Sequence, residues 1–179
     1  MAPINISRLS LSYDAQEDRL RLAICDSEGS VLGLWLTRRL TMGLVSMMRQ
    51  CLEGESRVAG GNLPPSLKTS VMAIEHYDLS NPGKGGDGPP VQAQEPGRIV
   101  TGVSLRHKGR GYLLVFLHAE EELAIMRLDK RMMHRFAGTL VRKMEDGGWT
   151  AGFDPDWLSD KRAGPTAPVI PGQRKRIMN

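Results

Sequence analysis

Two stretches of the chain decide its fold: Trp35-Leu-Thr-Arg-Arg-Leu-Thr-Met-Gly-Leu-Val-Ser-Met-Met-Arg-Gln-Cys-Leu-Glu53 and Arg127-Leu-Asp-Lys-Arg-Met-Met-His-Arg-Phe-Ala-Gly-Thr-Leu-Val-Arg-Lys-Met-Glu145. They align without a gap, position 35 on position 127. In each stretch a polar residue suited to cap a helix, Thr37 or Asp129, precedes an apolar stripe with helical spacing. The pattern predicts one amphipathic helix in each stretch.

The residues upstream of both helices alternate between apolar and polar side chains, as half-buried strands do. Leu20, Leu22 and Ile24 in the first half correspond in register to Tyr112, Leu114 and Phe116 in the second. Each half therefore has the order strand, strand, strand, helix. We expect an α+β fold of two tandem, duplicated βββα halves related by a pseudo-twofold, with about six antiparallel strands and the two helices packed on them.

The composition divides the chain into four segments. Residues 1–53 form the first half and residues 101–149 the second. The connection, residues 54–100, is predicted to hold a short helix at 67–79 and a flexible Gly/Pro loop at 81–98, because Pro64-Pro65 opens the one and glycine and proline dominate the other. Residues 150–179 combine an aromatic segment with a basic tail that we expect to be disordered.

Length and charge place the chain among ordinary globular proteins. Its 179 residues fit one domain or two half-size units that share a core, and the net charge of +4 permits an anionic partner without requiring one. The chain has no apolar run long enough to cross a bilayer and no secretory signal pattern. Cys25 and Cys51 lack metal-type spacing and suit a reducing compartment, so we expect a cytoplasmic protein without membrane contact.

Motifs for catalysis, metals and cofactors are absent from the sequence. The four histidines and two cysteines show neither zinc-type nor metalloprotease spacing, and no nucleophile elbow or phosphate-binding loop is visible. We therefore predict no cofactor and no metal, and we do not favour an enzyme. A catalytic site assembled in space from scattered polar residues stays open as a third class.

The leading hypothesis is a non-enzymatic interaction, assembly or regulatory protein, an adaptor that binds another protein or itself as a homodimer. The strand at 112–117 is apolar on both faces, and the segment after the second helix concentrates aromatic residues, which suits partner binding. The candidate partner-binding residues are Leu113, Val115, Leu117, Trp149, Phe153 and Trp157.

The alternative is a protein that binds single-stranded nucleic acid through basic strand faces. Cations on the polar faces and turns of the first two strands of each half, together with the basic tail, are able to follow a phosphate backbone. The candidate nucleic-acid-binding residues are Arg8, Arg19, Arg21, Arg106, Lys108, Arg110, Arg174, Lys175 and Arg176. The small number of aromatic residues argues against this hypothesis, because proteins that bind single strands commonly stack the bases on aromatic side chains.

The repeated strand-rich unit closed by a helix resembles, in outline, the Whirly and PUR-repeat proteins that bind single strands. The resemblance is one of topology, since those families use four strands per half and three are counted here. No residue motif of theirs is matched, so no site residue is carried over.

Overall fold

The computed structural model describes residues 2–56, 64–80, 89–93, 97–150 and 156–158. Within these ranges the protein is α+β, with two four-stranded sheets and three α-helices. The α+β class expected from the sequence is therefore confirmed.

The elements follow one another in the order strands, two helices, strands, helix. The first group is β1 (Ile4–Asn5), β2 (Arg8–Asp14), β3 (Arg19–Cys25), β4 (Val31–Thr37), α1 (Arg38–Glu55) and α2 (Pro65–Ser80). The second group is β5 (Arg98–Ile99), β6 (Gly102–Lys108), β7 (Gly111–His118), β8 (Glu121–Leu128), α3 (Lys130–Asp146) and a 3₁₀ turn (Asp156–Leu158).

Strand pairing differs from the expectation of about six antiparallel strands. Sheet A has the order β1-β8-β7-β6 and sheet B the order β2-β3-β4-β5. The six long strands pair antiparallel, but two further strands of only two residues pair in parallel, β1 with β8 and β5 with β4. A two-residue strand is too short to show a periodic pattern. β1 also joins the sheet formed by β6–β8, and β5 joins the sheet formed by β2–β4, so each pairs far from its sequence neighbours. Sequence patterns therefore missed both.

The helices cover one face of each sheet. The strand residues expected to point inward do so, because Leu20, Leu22 and Leu114 are fully buried in a core that they share with α1 and α3. Leu44 of α1 belongs to the same core and is also fully buried. The opposite, outer face of each sheet is then the surface on which strands can offer side chains to a partner.

Both long helices begin as the sequence indicates. Thr37 Oγ1 accepts the Leu40 N–H at 3.4 Å, and Asp129 Oδ1 accepts the Met132 N–H at 2.7 Å. Each cap satisfies a backbone donor that the first turn leaves without a helical partner. The capped helices present their apolar stripes to the sheets, which fixes the inner and outer faces of β3 and β7.

Candidate protein-docking face

An apolar strip runs along the outer face of sheet A. On β7 the odd-numbered residues Leu113, Val115 and Leu117 point away from the core, and Ile125 of β8 pairs with Val115 in register. Leu113, Leu117 and Ile125 are partly exposed, whereas Val115 is 2% exposed at the centre. We call these four residues the docking face. Three of the predicted partner-binding residues are thus brought together here.

The end of the docking face where β7 begins is basic. A depression of about 310 Å³ there is lined by three cations, by the start of β7, and by Leu128 and Asp129 at the end of β8. Its cations are Lys108, Arg110 and Arg127, which we call the basic end. The glycine at position 111 is required by close packing, because a Cβ there would lie 2.5 Å from the carbonyl oxygen of Leu128. The strip and the cations together suit an apolar segment that carries negative charge.

The opposite end of the docking face, where β7 ends, is acidic. Glu120 and Glu122 are exposed in and beside the β7–β8 turn, and Glu122 pairs with Leu117 in register. We call these two residues the acidic end. Glu121 between them instead accepts two hydrogen bonds from the Arg98 guanidinium, at 3.2 and 2.6 Å, and the first cause of its lowered pKa is that contact.

The basic residues singled out for nucleic acid are divided between the two sheets. Arg8, Arg19 and Arg21 lie on sheet B, whereas Arg106 and Lys108 lie on sheet A and Arg110 lies in the β6–β7 turn. A single continuous stripe through all six is therefore not formed by strand order alone. Several are also engaged: Arg19 pairs with Glu17 at 3.4 Å, and Arg106 Nε donates to Ser104 Oγ at 3.0 Å.

A segment of the connection lies on the outer face of sheet B. We call residues 89–93 together with Gly97 the strap. The Val91 N–H donates to Ser10 Oγ at 2.8 Å, and Arg21 donates to the Ala93 carbonyl oxygen at 2.5 Å. A Cβ added at Gly97 would lie 2.8 Å from Nε1 of Trp35. The strap thus occupies the surface that carries Arg21 and Trp35.

Trp35 is a surface feature that the sequence interpretation missed. Its ring lies 5.8 Å from the Arg21 guanidinium, on the outer face of sheet B. The continuous apolar run at 31–36 predicts a strand that is buried on both faces. Leu34 and Leu36 are fully buried but Trp35 between them is not, so alternation is the signal that separates the indole from the core. A cation beside an aromatic ring is one arrangement by which proteins bind bases or peptides.

The two tryptophans near the second helix are core residues, which corrects their assignment to a partner surface. Trp149 is 1% exposed and its Nε1 donates to Asp18 Oδ1 at 2.7 Å. Trp157 is 2% exposed and its Nε1 donates to Glu53 Oε1 at 3.1 Å. A large apolar ring stabilises the fold when its N–H finds a partner, and here both do. The remaining candidates, Phe153, Arg174, Lys175 and Arg176, lie outside the described residues.

A buried histidine pair is the other feature that sequence patterns did not predict. The Nδ1 atoms of His76 on α2 and His134 on α3 are 3.1 Å apart, and both residues are buried. The Trp157 ring lies 5.8 Å from each imidazole. Burial is the first cause that lowers the pKa of His134, to about 4, and the neighbouring His76 adds to it. Two histidines on different helices have no sequence spacing that would reveal them.

Neither a metal-binding cluster nor a membrane-spanning helix is found in the ranges that the structure describes. No group of three or more His, Cys, Asp or Glu side chains is placed to hold a metal ion there. No helix among those residues is long and apolar enough to cross a bilayer. No protein-family model matches the chain, and no curated protein is significantly similar to it in sequence. Function is therefore inferred from the geometry above.

Proposed function

We propose that this protein is a non-enzymatic interaction module that binds a partner protein through the docking face of sheet A. The observation that carries the proposal is the apolar strip of Leu113, Val115, Leu117 and Ile125, set in one register on the sheet face that the helices leave uncovered. Apolar side chains grouped on an outer face gain most when a second protein removes them from water.

The chemistry of the partner follows from the surroundings of the strip. The basic end favours a segment with carboxylates beside its apolar residues, because opposite charges steer association and fix the register of binding. No aromatic side chain lies on the outer face of sheet A among the described residues, so stacking of bases has no platform there. These two features together favour a protein segment over a nucleic acid at this face.

The test is a comparison of matched variants in a pull-down from the native host. We expect Leu113→Glu to lose a partner that the wild-type chain retains, because the change replaces apolar surface with a carboxylate that, together with the neighbouring Arg127, the partner would have to remove from water. Leu67→Glu is the control, since Leu67 is 50% exposed on α2 and the change is chemically the same. The partner must then bind the purified wild-type chain directly. It should bind Leu67→Glu about as tightly and Leu113→Glu more weakly.

Three outcomes of this experiment would count against the proposal. The first is a partner retained equally by Leu113→Glu, the second is a partner lost equally by Leu67→Glu, and the third is a partner that fails to bind the purified wild-type chain. Thermal unfolding of both variants checks that the fold is retained.

Single-stranded nucleic acid is the second candidate, and the pairing of Arg21 with Trp35 on sheet B is the observation that favours it; binding there requires the strap, which Arg21 holds through Ala93, to leave this surface. The same pull-down distinguishes it when half of each extract is treated with nuclease. Nucleic acid that co-purifies with the wild-type chain but not with Arg21→Glu, while Leu113→Glu retains it, would move the function to sheet B.

The proposal also includes the origin and the location of the module. We propose that the chain arose by duplication of a βββα unit, which is supported by helix caps at the aligned positions Thr37 and Asp129 and by buried residues at the aligned positions Leu44 and Phe136. We place its activity in the cytoplasm, which two unpaired cysteines favour, one of them buried.

A further inference from the structure

We propose that the docking face binds a second copy of this chain, face to face and with the two β7 strands antiparallel. This inference rests on the proposed function and deepens it, because it names the partner. It is carried by the distribution of charge along one sheet face, which is complementary to itself after a twofold rotation.

The two charged ends lie at opposite ends of the same strand. Lys108 and Arg127 flank the beginning of β7, where Lys108 pairs with Gly111 and Arg127 with Leu113. Glu122 flanks its end, where it pairs with Leu117. A strand of this length spans roughly 25 Å, so the two ends are separate charges rather than one internal ion pair.

A twofold axis through Val115 brings these ends into contact between two copies. The rotation places Leu113 of one protomer near Leu117 of its partner, and Arg127 of each over Glu122 of the other, because both charges lie on β8 at equal distances from the axis. Lys108 lies on the β6 side of β7 and does not face an acid in this arrangement. Such an interface is isologous, with the same patch used by both subunits, which is the commonest arrangement in homodimers. Val115 at the centre is already buried within one chain, so the partly exposed Leu113, Leu117 and Ile125 supply the apolar area that the contact removes from water.

The charged groups at both ends are available for this contact. Among the described residues, none of Lys108, Arg127 and Glu122 takes part in a salt bridge or a side-chain hydrogen bond within the chain, and the same holds for Arg110 and Glu120. The neighbouring Glu121, by contrast, is held by Arg98. Charges that have no partner within the chain lose no existing ion pair when they meet a second copy.

The size of the face sets the expected strength. Three long strands of seven or eight residues offer a footprint of roughly 15 Å by 25 Å on each protomer, or about 750 Å² for the pair, which lies below the range of stable specific interfaces and suits only a weak, transient one. We therefore expect a weak dimer, with a dissociation constant of roughly 100 µM, that weakens further as salt screens the two symmetry-related Arg127–Glu122 contacts.

The experiment uses the full chain and a charge exchange. Sedimentation equilibrium at about 100 µM, at low and at high ionic strength, measures the dimer fraction of the wild-type protein. Two double variants then make both ends alike: Lys108→Glu with Arg127→Glu, and Glu120→Lys with Glu122→Lys. We expect each to dissociate at least roughly tenfold more readily, because like charges then face each other at positions 127 and 122.

Mixing the two double variants restores attraction at both ends, so we expect a heterodimer at least as stable as the wild-type dimer. Leu113→Glu removes an apolar contact and also adds a carboxylate beside Arg127, and we expect it to be monomeric. A wild-type protein that is monomeric under these conditions would overturn the inference, as would a dimer whose stability all these variants leave unchanged.

The outcomes separate this inference from the function on which it rests. If the wild-type chain is monomeric but Leu113→Glu still abolishes binding of another protein, the docking face keeps its function and the second copy is the wrong occupant. If the wild-type chain is a dimer that Leu113→Glu leaves intact, self-association uses another surface and the inference falls.

Discussion

At the residue scale, Asp18 joins two distant parts of the chain. It lies in the β2–β3 turn with a φ of +48°, a left-handed conformation that aspartate tolerates better than most residues. Its Oδ1 accepts hydrogen bonds from Trp149 Nε1 at 2.7 Å and from the Tyr13 hydroxyl at 2.8 Å. These donors are the main cause that lowers the pKa of Asp18, and the nearby Arg38 contributes.

Removal of this carboxylate is expected to loosen the segment that follows α3. Asp18→Ala leaves the buried Trp149 N–H without its acceptor, and an unsatisfied buried donor destabilises a fold. We expect Asp18→Ala to have a lower melting temperature than the wild-type protein. Thermal unfolding monitored by tryptophan fluorescence measures the difference. Glu17→Ala, one position earlier in the exposed turn, is the control and should change the melting temperature little.

The stability difference between the wild-type protein and Asp18→Ala should depend on pH. Because the folded pKa lies below the ordinary 3.8, the stabilising contribution of Asp18 is complete above that value and is lost as pH falls through the folded pKa. The difference between the wild-type protein and Asp18→Ala should therefore shrink in strong acid. A difference that is absent at neutral pH would contradict this account of the turn.

At the element scale, the strap is held on sheet B by its main chain and by one tight approach. Ser10 and Arg21 bind the backbone of Val91 and Ala93, so recognition here depends little on strap side chains. Gly97 then passes so close to Trp35 that a methyl group would be 2.8 Å from the indole nitrogen and 3.1 Å from the Gly33 carbonyl oxygen. Glycine at position 97 is therefore a packing requirement.

Gly97→Ala tests this contact. We expect a loss of about 1–3 kcal/mol in the free energy of unfolding, together with faster proteolysis of the strap, because an added methyl in a filled space forces its neighbours apart. The matched control is Gly43→Ala, in the middle of α1 with nothing within 4 Å of the added carbon. That change should stabilise the protein by about 0.5–1 kcal/mol through helix propensity. Equal effects of the two substitutions in urea unfolding would show that the strap is not held at Gly97.

At the scale of the whole molecule, the histidine pair connects three elements that the sequence separates. It joins α2 of the connection to α3, and Trp157 of the 3₁₀ turn covers both rings. A contact between two Nδ1 atoms forms a hydrogen bond when one donates and the other accepts, so the pair favours a state with at most one extra proton. Lys130 and Glu75, which form an ion pair, flank it with one charge of each sign.

Stability should therefore depend on pH between about 6.5 and 4. The pKa of His134 is lowered from 6.5 to about 4, first by burial and then by His76 and Lys130, while Glu75 opposes the shift. The unfolded chain binds the extra proton in this interval and the folded chain does not, so the free energy of unfolding is highest above pH 6.5 and falls as pH drops towards 4, by up to about 3 kcal/mol.

Chemical unfolding across this range checks the prediction. His134→Asn removes the titrating group and should flatten the dependence, although its stability near neutral pH is lower. His118→Asn, at an exposed strand end, should keep the wild-type slope. A slope that His134→Asn does not reduce would assign the effect to other groups.

The sequence by itself predicts the features that depend on residues close together in the chain. Alternation in β3 and β7 identified the inner face, and Thr37 and Asp129 marked where α1 and α3 begin, because strand faces and helix caps depend on residues two to four positions apart. The apolar outer face of β7 was visible for the same reason, so Leu113, Val115 and Leu117 were correctly grouped on one side of a strand.

Only the tertiary structure decided the features that depend on distant partners. Trp149 is buried because Asp18 lies 131 positions away in sequence but at hydrogen-bond distance in space, and His134 meets His76 across 58 positions. β1 is a strand because it pairs with the edge of β8, and β5 is a strand because it pairs with the edge of β4. Trp35 lies beneath the strap, which no alternation pattern in the sequence predicts. The opposite charges at the two ends of β7 likewise come to share one sheet face only when β6 and β8 pair on either side of it, since pairing, unlike periodicity, is set by the whole fold.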